Sequence, residues 1–342
     1  MTTAHPAPPS LRMLGLAVDV YRKVFTNPAL SPPNPVRRSG FDLDVGVEAI
    51  REEAADVVSL VLARADGQEL PSWRPGSHID VFLPSGRQRQ YSLCGDPADR
   101  HHYRIAVRRI PDGGGGSLEI HDLRPGDTLR IRGPRNAFTF VDSAPSYLFL
   151  AAGIGITPIL PMAQAAGDRG RLIYLGRSRD TMPFLGELPA GTEIRPDDEA
   201  GPPDIPALLA TARPGAAVYV CGPPPVLEAA QRSLFALNPT GSLHTERFSA
   251  PPVRDGREFD LTLARSGHHV RVGATETTLD AIRRVCPDVV YSCRQGFCGT
   301  CKIGVAAGAV DHRDRLLSDS ERAGHMLTCV SRSAGGPLVL DL

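Results

Sequence analysis

Apolar and polar positions change rhythm several times along this chain. From Phe41 to about Val141, short apolar runs are broken by turn residues. Val57-Val58-Ser59-Leu60-Val61-Leu62 and Tyr103-Arg104-Ile105-Ala106-Val107-Arg108 read as strands, with Pro75-Gly76, Pro125-Gly126 and Gly133-Pro134 between such runs. Short strands at this spacing predict an antiparallel barrel. From 142 to 248 the pattern is different. Tyr147-Leu148-Phe149-Leu150-Ala151 is a continuous apolar strand running into Gly153-Ile154-Gly155-Ile156-Thr157-Pro158 and a helix. Arg171 to Leu175 and Val218 to Cys221 are further strands, the latter followed by Gly222-Pro223-Pro224 and a helix over about 225–237. Buried strands alternating with helices predict a parallel sheet with crossovers. After a Pro-rich linker over 249–257, alternation returns. Phe259–Leu263 and His269–Val272 form a hairpin, Thr278–Val285 a helix and Pro337–Asp341 a closing strand. Ahead of all this, Leu11, Leu14, Val18 and Phe25 give 11–25 an amphipathic helix, and four prolines make Asn27–Pro35 a linker. The organisation expected is therefore an extension over 1–40 and domains over 41–141, 142–248 and 258–342.

Composition adds mainly exclusions. A chain of 342 residues holds two or three domains. Its formal net charge is zero and its arginines are scattered, so nothing favours a nucleic-acid partner. The longest apolar run, Leu148 to Ala163, is interrupted by Gly153, Gly155, Pro158 and Pro161 and is too short to span a bilayer. The first ten residues lack the basic start and apolar core of a signal peptide.

The seven cysteines change the picture most. Cys293, Cys298 and Cys301 stand as C-x4-C-x2-C, with Cys329 following after a gap of about 27 residues. This is the plant-type [2Fe–2S] ligand spacing. Gly296 and Gly299 within the loop let backbone N–H groups turn toward sulfur. Zinc sites usually carry two C-x2-C pairs, and here there is one. Cys94, Cys221 and Cys286 are isolated, so the odd total argues against a disulfide framework and for a reducing cytoplasm.

Upstream lie four weaker motifs. Arg89-Gln90-Tyr91-Ser92 suits a flavin: the Arg can neutralise phosphate, the Tyr can meet the ring or ribityl chain, and the Ser can bond near the reactive ring. Taken alone, a surface strand with a core Tyr is the more frequent source of such a tetrapeptide. The run from Gly113 to Gly116 before Ser117 exposes N–H groups to an anion, or is simply a flexible loop. Gly153 and Gly155 follow a strand but lack the third Gly of a dinucleotide fingerprint. Cys221-Gly222-Pro223 also follows a strand; the plain reading of Cys221 is a small buried hydrophobe. Both loops sit at C-terminal strand ends, where open α/β sheets bind ligands.

Taken in order with the cysteine set, these motifs resemble the phthalate dioxygenase reductase family over residues 41–342, and vanillate demethylase reductases are similar. The resemblance implies a multidomain architecture: an antiparallel β-barrel for FMN, an α/β parallel-sheet nicotinamide domain and a plant-type α+β ferredoxin domain of the β-grasp kind. It implies that Arg89, Gln90, Tyr91 and Ser92 line the flavin, with Ala106, Val107 and Arg108 as a second wall. Gly115, Gly116 and Ser117 would hold the phosphate. Thr157 would lie near flavin and nicotinamide, and Phe248, in His244-Thr245-Glu246-Arg247-Phe248, would flank the isoalloxazine. Ser92, Thr157, Cys221 and Phe248 would then surround the reacting rings. Gly153, Gly155, Arg177, Cys221, Gly222 and Pro223 would contact the coenzyme.

Two departures stand out. The first 40 residues have no counterpart in the compact family pattern. After Leu175-Gly176 come Arg177-Ser178-Arg179, with no acid directly at the strand end to bond a ribose. The family favours NADH, and the two arginines leave NADPH open. The activity expected is an oxygenase reductase: hydride passes from NADH to FMN, and single electrons then pass through the cluster. Plant-type clusters lie near roughly −400 mV, low enough to feed an oxygenase centre. The acceptor expected is a separate Rieske non-haem iron or cytochrome P450 oxygenase. Two alternatives use the same motifs: an FAD-dependent ferredoxin-reductase-like enzyme, and a non-catalytic ferredoxin-like redox sensor or binding module.

Overall fold

A computed structural model describes residues 42–112 and 114–342. The amphipathic helix expected over 11–25 lies outside the described residues.

The first region is the antiparallel sheet the short strands predicted. Strands β1 (Asp42–Ala54), β2 (Val57–Arg64), β3 (Ser77–Phe82), β4 (Gln88–Ser92), β5 (His102–Arg108) and β6 (Thr128–Asn136) run in the order β4-β3-β6-β1-β2-β5. A bridge between Leu93 and Ile105 joins the two edges and closes the barrel. Inward residues such as Leu60, Leu62, Ile79, Val81, Ile105 and Ile131 fill it. A short helix α1 (Gly116–His121) follows β5.

The second region is a parallel sheet. β7 (Tyr147–Ala152), β8 (Gly170–Gly176), β9 (Glu193–Pro196), β10 (Ala217–Cys221) and β11 (Ser242–Glu246) lie in the order β11-β10-β7-β8-β9. Strands β7 and β10 are buried along nearly their whole length, and β8 across Leu172–Leu175, as continuous apolar runs require. Helices α2 (Ile156–Ala166), α3 (Asp197–Ala200), α4 (Ile205–Leu209) and α5 (Pro224–Leu237) make the crossovers. The chain steps outward from β7 through β8 to β9, then returns to the other side of β7 with β10. That reversal opens a crevice beyond the ends of β7 and β10, where such sheets take ligands.

The third region is a mixed sheet with the order β13-β12-β16-β14-β15. It comprises β12 (Phe259–Leu263), β13 (His269–Val272), α6 (Thr278–Arg283), β14 (Lys302–Asp311), α7 (Asp319–Arg322), β15 (His325–Leu327) and β16 (Arg332–Leu340). β12 and β16 are parallel neighbours, and β12 pairs antiparallel with β13. Helix α6 is two residues shorter than expected, and the closing strand starts at Arg332 rather than Pro337. Arg332 is fully buried. It donates to the carbonyls of Arg257, Gly273 and Glu276 and lies over the Phe259 ring. The cysteine loop connects α6 to β14. No helix among the described residues is long and apolar enough to cross a membrane.

Candidate functional site

The flavin-type motif lies on β4, antiparallel to β3, and closes toward the glycine loop before α1. Arg89 Nη2 donates to the Gly114 carbonyl at 2.8 Å. A Cβ on Gly116 would meet Arg89 Nε at 2.5 Å, and one on Gly115 would meet Arg87 Cζ at 3.4 Å. Two guanidinium groups therefore flank a loop whose following turn begins with free helical N–H groups. Arg87 was not singled out from the sequence; its position two residues before Arg89, just ahead of β4, was the available signal. Ser117 presents no free hydroxyl there, because its Oγ exchanges bonds with the backbone of Ile110. Only its backbone remains for an anion. Tyr91 is largely buried, which pushes its phenol pKa up. Ser92 is buried opposite His78. Ala106 and Val107 are buried on β5 and Arg108 is exposed. The Gln90 side chain leaves this group altogether and bonds Asp80 and Ser292.

The two loops of the parallel sheet meet at its crevice. An atom added to Gly155 would lie 2.3 Å from the Cys221 carbonyl oxygen, and one added to Gly222 would lie 2.8 Å from Ala152 Cβ. Each glycine is thus required by the close approach of the other loop. Gly153 has φ 55° and opens onto free space. Thr157 is buried, and its hydroxyl donates to the Ile154 carbonyl at 3.0 Å. Cys221 is fully buried, and burial followed by the nearby Glu246 carboxyl pushes its thiol pKa up, so it stays protonated. Pro223 caps α5. Phe248 is half exposed just beyond β11.

Arg177 is exposed at the end of β8. Arg179 is held by Glu199 through Nε at 2.7 Å and Nη2 at 3.1 Å. The Asp198 N–H bonds the Arg177 carbonyl. The acids missing directly after β8 are therefore delivered by α3, after the neighbouring parallel strand β9. Reading β8 alone could not reveal them.

The four predicted cluster ligands converge. Cys293 touches both Cys298 and Cys329, and Cys329 also touches Cys301. Contacts from those two thiols, reinforced by the Gln295 and Phe297 N–H groups, hold the Cys293 thiol far below its ordinary range. Gln295 N lies 3.3 Å from Cys293 Sγ, and Cys298 Sγ lies 3.3 Å from Thr300 Oγ1. Gly296 at φ 80° and Gly299 at φ 75° supply the left-handed turns. Four sulfurs linked in a chain of contacts, with backbone N–H donors on Cys293, Cys298 and Cys301, fit a thiolate-bound iron–sulfur cluster.

Comparison with known proteins agrees. Residues 261–334 match the family model of the 2Fe-2S iron-sulfur cluster binding domain, and residues 45–140 match that of the oxidoreductase FAD-binding domain. A putative toluene-4-sulfonate monooxygenase system reductase subunit of Comamonas testosteroni is 42% identical over 316 residues, covering 88% of this chain and 99% of that one. The solved phthalate dioxygenase reductase is 34% identical with TM-score 0.67, covering 88% of this chain and 98% of that one. The chain belongs to the phthalate dioxygenase reductase family. An intact type IV self-sufficient cytochrome P450 monooxygenase also matches, at 38% identity and TM-score 0.70, covering 92% of this chain and 44% of that one.

This family member is thus an electron-transfer reductase component with a flavin-binding and a [2Fe–2S]-binding domain. In the reductase, the cysteine loop is gripped from two sides. Gln295 Nε2 donates to the Arg247 carbonyl at 2.6 Å, next to Phe248. On the barrel side Gln88 Nε2 donates to the Tyr291 carbonyl at 2.8 Å. His78 is buried there with Nε2 unpartnered, and burial, then Arg135, lowers its pKa to about 4. Glu246 is another buried group that sequence reasoning passed over.

Proposed function

We propose that this chain takes a hydride from NADH onto FMN and delivers electrons singly, through the cluster held by Cys293, Cys298, Cys301 and Cys329, to a separate Rieske or haem oxygenase. The observation that carries this reading is the tie from Gln295 to Arg247: it brings the cysteine loop next to Phe248, just beyond the parallel sheet's last strand. When bound, a flavin accepts a hydride and gives up its two electrons one at a time, the change a one-electron cluster requires. Each NADH consumed yields NAD+, two electrons and one proton. Arg89, Arg87 and the Gly114–Gly116 loop would neutralise a single phosphate, which suits FMN. Tyr91, Ser92, Ala106 and Val107 would orient the ring, and Phe248 would cover one face until nicotinamide approaches. Gly155 and Gly222 let the two crevice loops close up beneath the coenzyme, beside Gly153, Thr157, Cys221 and Pro223. The Arg179–Glu199 pair and neighbouring Asp197 and Asp198 disfavour a 2′-phosphate, supporting NADH; Arg177 would lie along the coenzyme edge. The relatives' names support an oxygenase as acceptor, and the free thiols suit a reducing cytoplasm.

The test is the Cys298→Ser holoprotein. NADH should still bleach its flavin, while cytochrome c reduction is lost. Equal loss of both would contradict the order of transfer. Acid extraction followed by chromatography separates FMN from FAD.

A further inference from the structure

Ser292 stands immediately before the cluster ligand Cys293, yet its hydroxyl is spent on the barrel. A hydroxyl has one proton to donate and two lone pairs to offer. Ser292 Oγ donates to Asp80 Oδ1 at 2.9 Å, accepts from Gln90 Nε2 at 2.6 Å and accepts from Arg135 Nη2 at 2.7 Å. All three partners lie on barrel strands: Asp80 on β3, Gln90 on β4 and Arg135 on β6. The Asp80 side chain is entirely buried and also ion-paired with Arg135. One residue earlier, the Tyr291 carbonyl accepts from Gln88 of β4. Six residues from two domains thus meet immediately ahead of Cys293.

A buried ion pair contributes little net stability compared with an apolar filling, but it enforces one arrangement of its partners. Within the barrel the Asp80 carboxylate pairs with Arg135 and accepts from Gln90 Nε2 at 3.0 Å; Ser292 extends this buried network to the cysteine loop.

We propose that Asp80, Arg135 and Gln88 latch the cysteine loop onto the flavin barrel through Ser292 and Tyr291, making them positioning residues for the electron that crosses from flavin to cluster. The proposal deepens the relay reading and rests on it. The latch fixes how closely Cys293 approaches the barrel, and a displacement of about 1 Å at a reacting centre can cost on the order of a hundredfold in rate. Asp80 and Arg135 bond the Ser292 hydroxyl and Gln88 bonds the Tyr291 carbonyl, not a cluster cysteine, so they act by holding the loop.

The test compares wild-type, Asp80→Asn and Gln88→Ala holoproteins. Gln88→Ala disturbs no buried charge, so it decides alone if Asp80→Asn does not fold. Hydrogen exchange of amides 289–295 should rise by roughly tenfold in each variant. The EPR spectrum of the dithionite-reduced cluster should keep its wild-type g values. In stopped flow with NADH, flavin bleaching should stay within about twofold of wild type while cluster reduction slows by roughly tenfold or more. Unchanged exchange at 289–295, or flavin bleaching and cluster reduction falling together, overturns the latch. Exchange is read without turnover. A wild-type protein that NADH fails to bleach would therefore sink the relay reading and still leave the latch decided.

Discussion

Glu246 stands beside Cys221 where the paired parallel strands β10 and β11 end, and its Oε2 is sealed from solvent with no hydrogen-bond partner. The residue as a whole is only half-buried, so the strand edge is wet while the carboxyl itself is not. Burial pushes the Glu246 pKa up to about 8 from an ordinary 4.5. A neutral carboxylic acid next to a neutral thiol leaves the floor of the crevice uncharged at neutral pH.

The consequence for stability has a definite sign. Below the ordinary carboxyl range, folded and unfolded chains are both protonated at Glu246 and no penalty exists. As pH rises toward 8, only the unfolded chain ionises, so stability falls; above 8 the loss is complete. At about 1.4 kcal/mol per tenfold in the proton equilibrium, the total is on the order of a few kcal/mol. Glu246→Gln should therefore melt close to wild type at pH 5 and well above it at pH 8.5. Equal melting differences at both pH values would show that the carboxyl is not held protonated.

Gly116 and Arg89 are coupled by space. A Cβ at Gly116 runs into Arg89 Nε and Cζ and into Cγ nearer the backbone, all side-chain atoms, so the whole Arg89 side chain must take another rotamer to admit it. Gly116→Ala should leave the melting temperature of flavin-free protein nearly unchanged and weaken flavin binding by roughly tenfold, the worth of one charge-assisted hydrogen bond. Arg89→Ala should weaken it at least as much. Fluorescence titration with FMN measures both. Full affinity in Gly116→Ala would remove Arg89 from the proposed phosphate cradle.

Much of this was legible because the signals were local. Phe259–Leu263 and His269–Val272 coincide with observed strands, since alternation and turn residues sit within one short window. The cysteine spacing was visible for the same reason: three of the four cysteines share one loop. Other features were hidden by sequence distance or by misleading residues. Strand β1 carries Glu48, Arg51, Glu52 and Glu53, and its register is broken by bulges, so it lacks clean alternation. Gly335 and Gly336 look like breakers, yet β16 runs through them with positive φ. Asp80 and Ser292 lie 212 residues apart, and neither belongs to a motif. No one-dimensional pattern could have joined them.

The coenzyme edge gives a third prediction. Glu199 occupies Arg179 with two hydrogen bonds, both on exposed side chains. Removing it by Glu199→Ala releases a guanidinium at the end of β8 and deletes a negative charge. The ratio of kcat/KM for NADPH over NADH should rise, by roughly tenfold for about one charge-assisted contact. The change should fall in KM, since the hydride-transfer geometry is untouched. An unaltered ratio would mean that the adenosine end of the coenzyme binds elsewhere.

Gly153 and Gly155 allow a sharper comparison, because they are needed for opposite reasons. Gly153 has φ 55° with open space around its missing Cβ, so Gly153→Ala meets backbone strain alone, on the order of 1 kcal/mol. Gly155 has an ordinary φ of −62°, but its Cβ would overlap the Cys221 carbonyl at 2.3 Å and press on Gly222 N at 3.1 Å. Those are backbone atoms at the end of the core strand β10 and cannot swing aside. Gly155→Ala must therefore part the crevice loops, costing about 1–3 kcal/mol as overpacking does. It should also raise KM for NADH far more than Gly153→Ala, while dithionite still reduces the flavin and cluster in both. Denaturant melts and NADH oxidation kinetics on the two variants separate strain from contact. If Gly153→Ala proved the more damaging for coenzyme binding, then the left-handed turn would be the coenzyme's requirement, and the close approach of the two loops would serve only the fold.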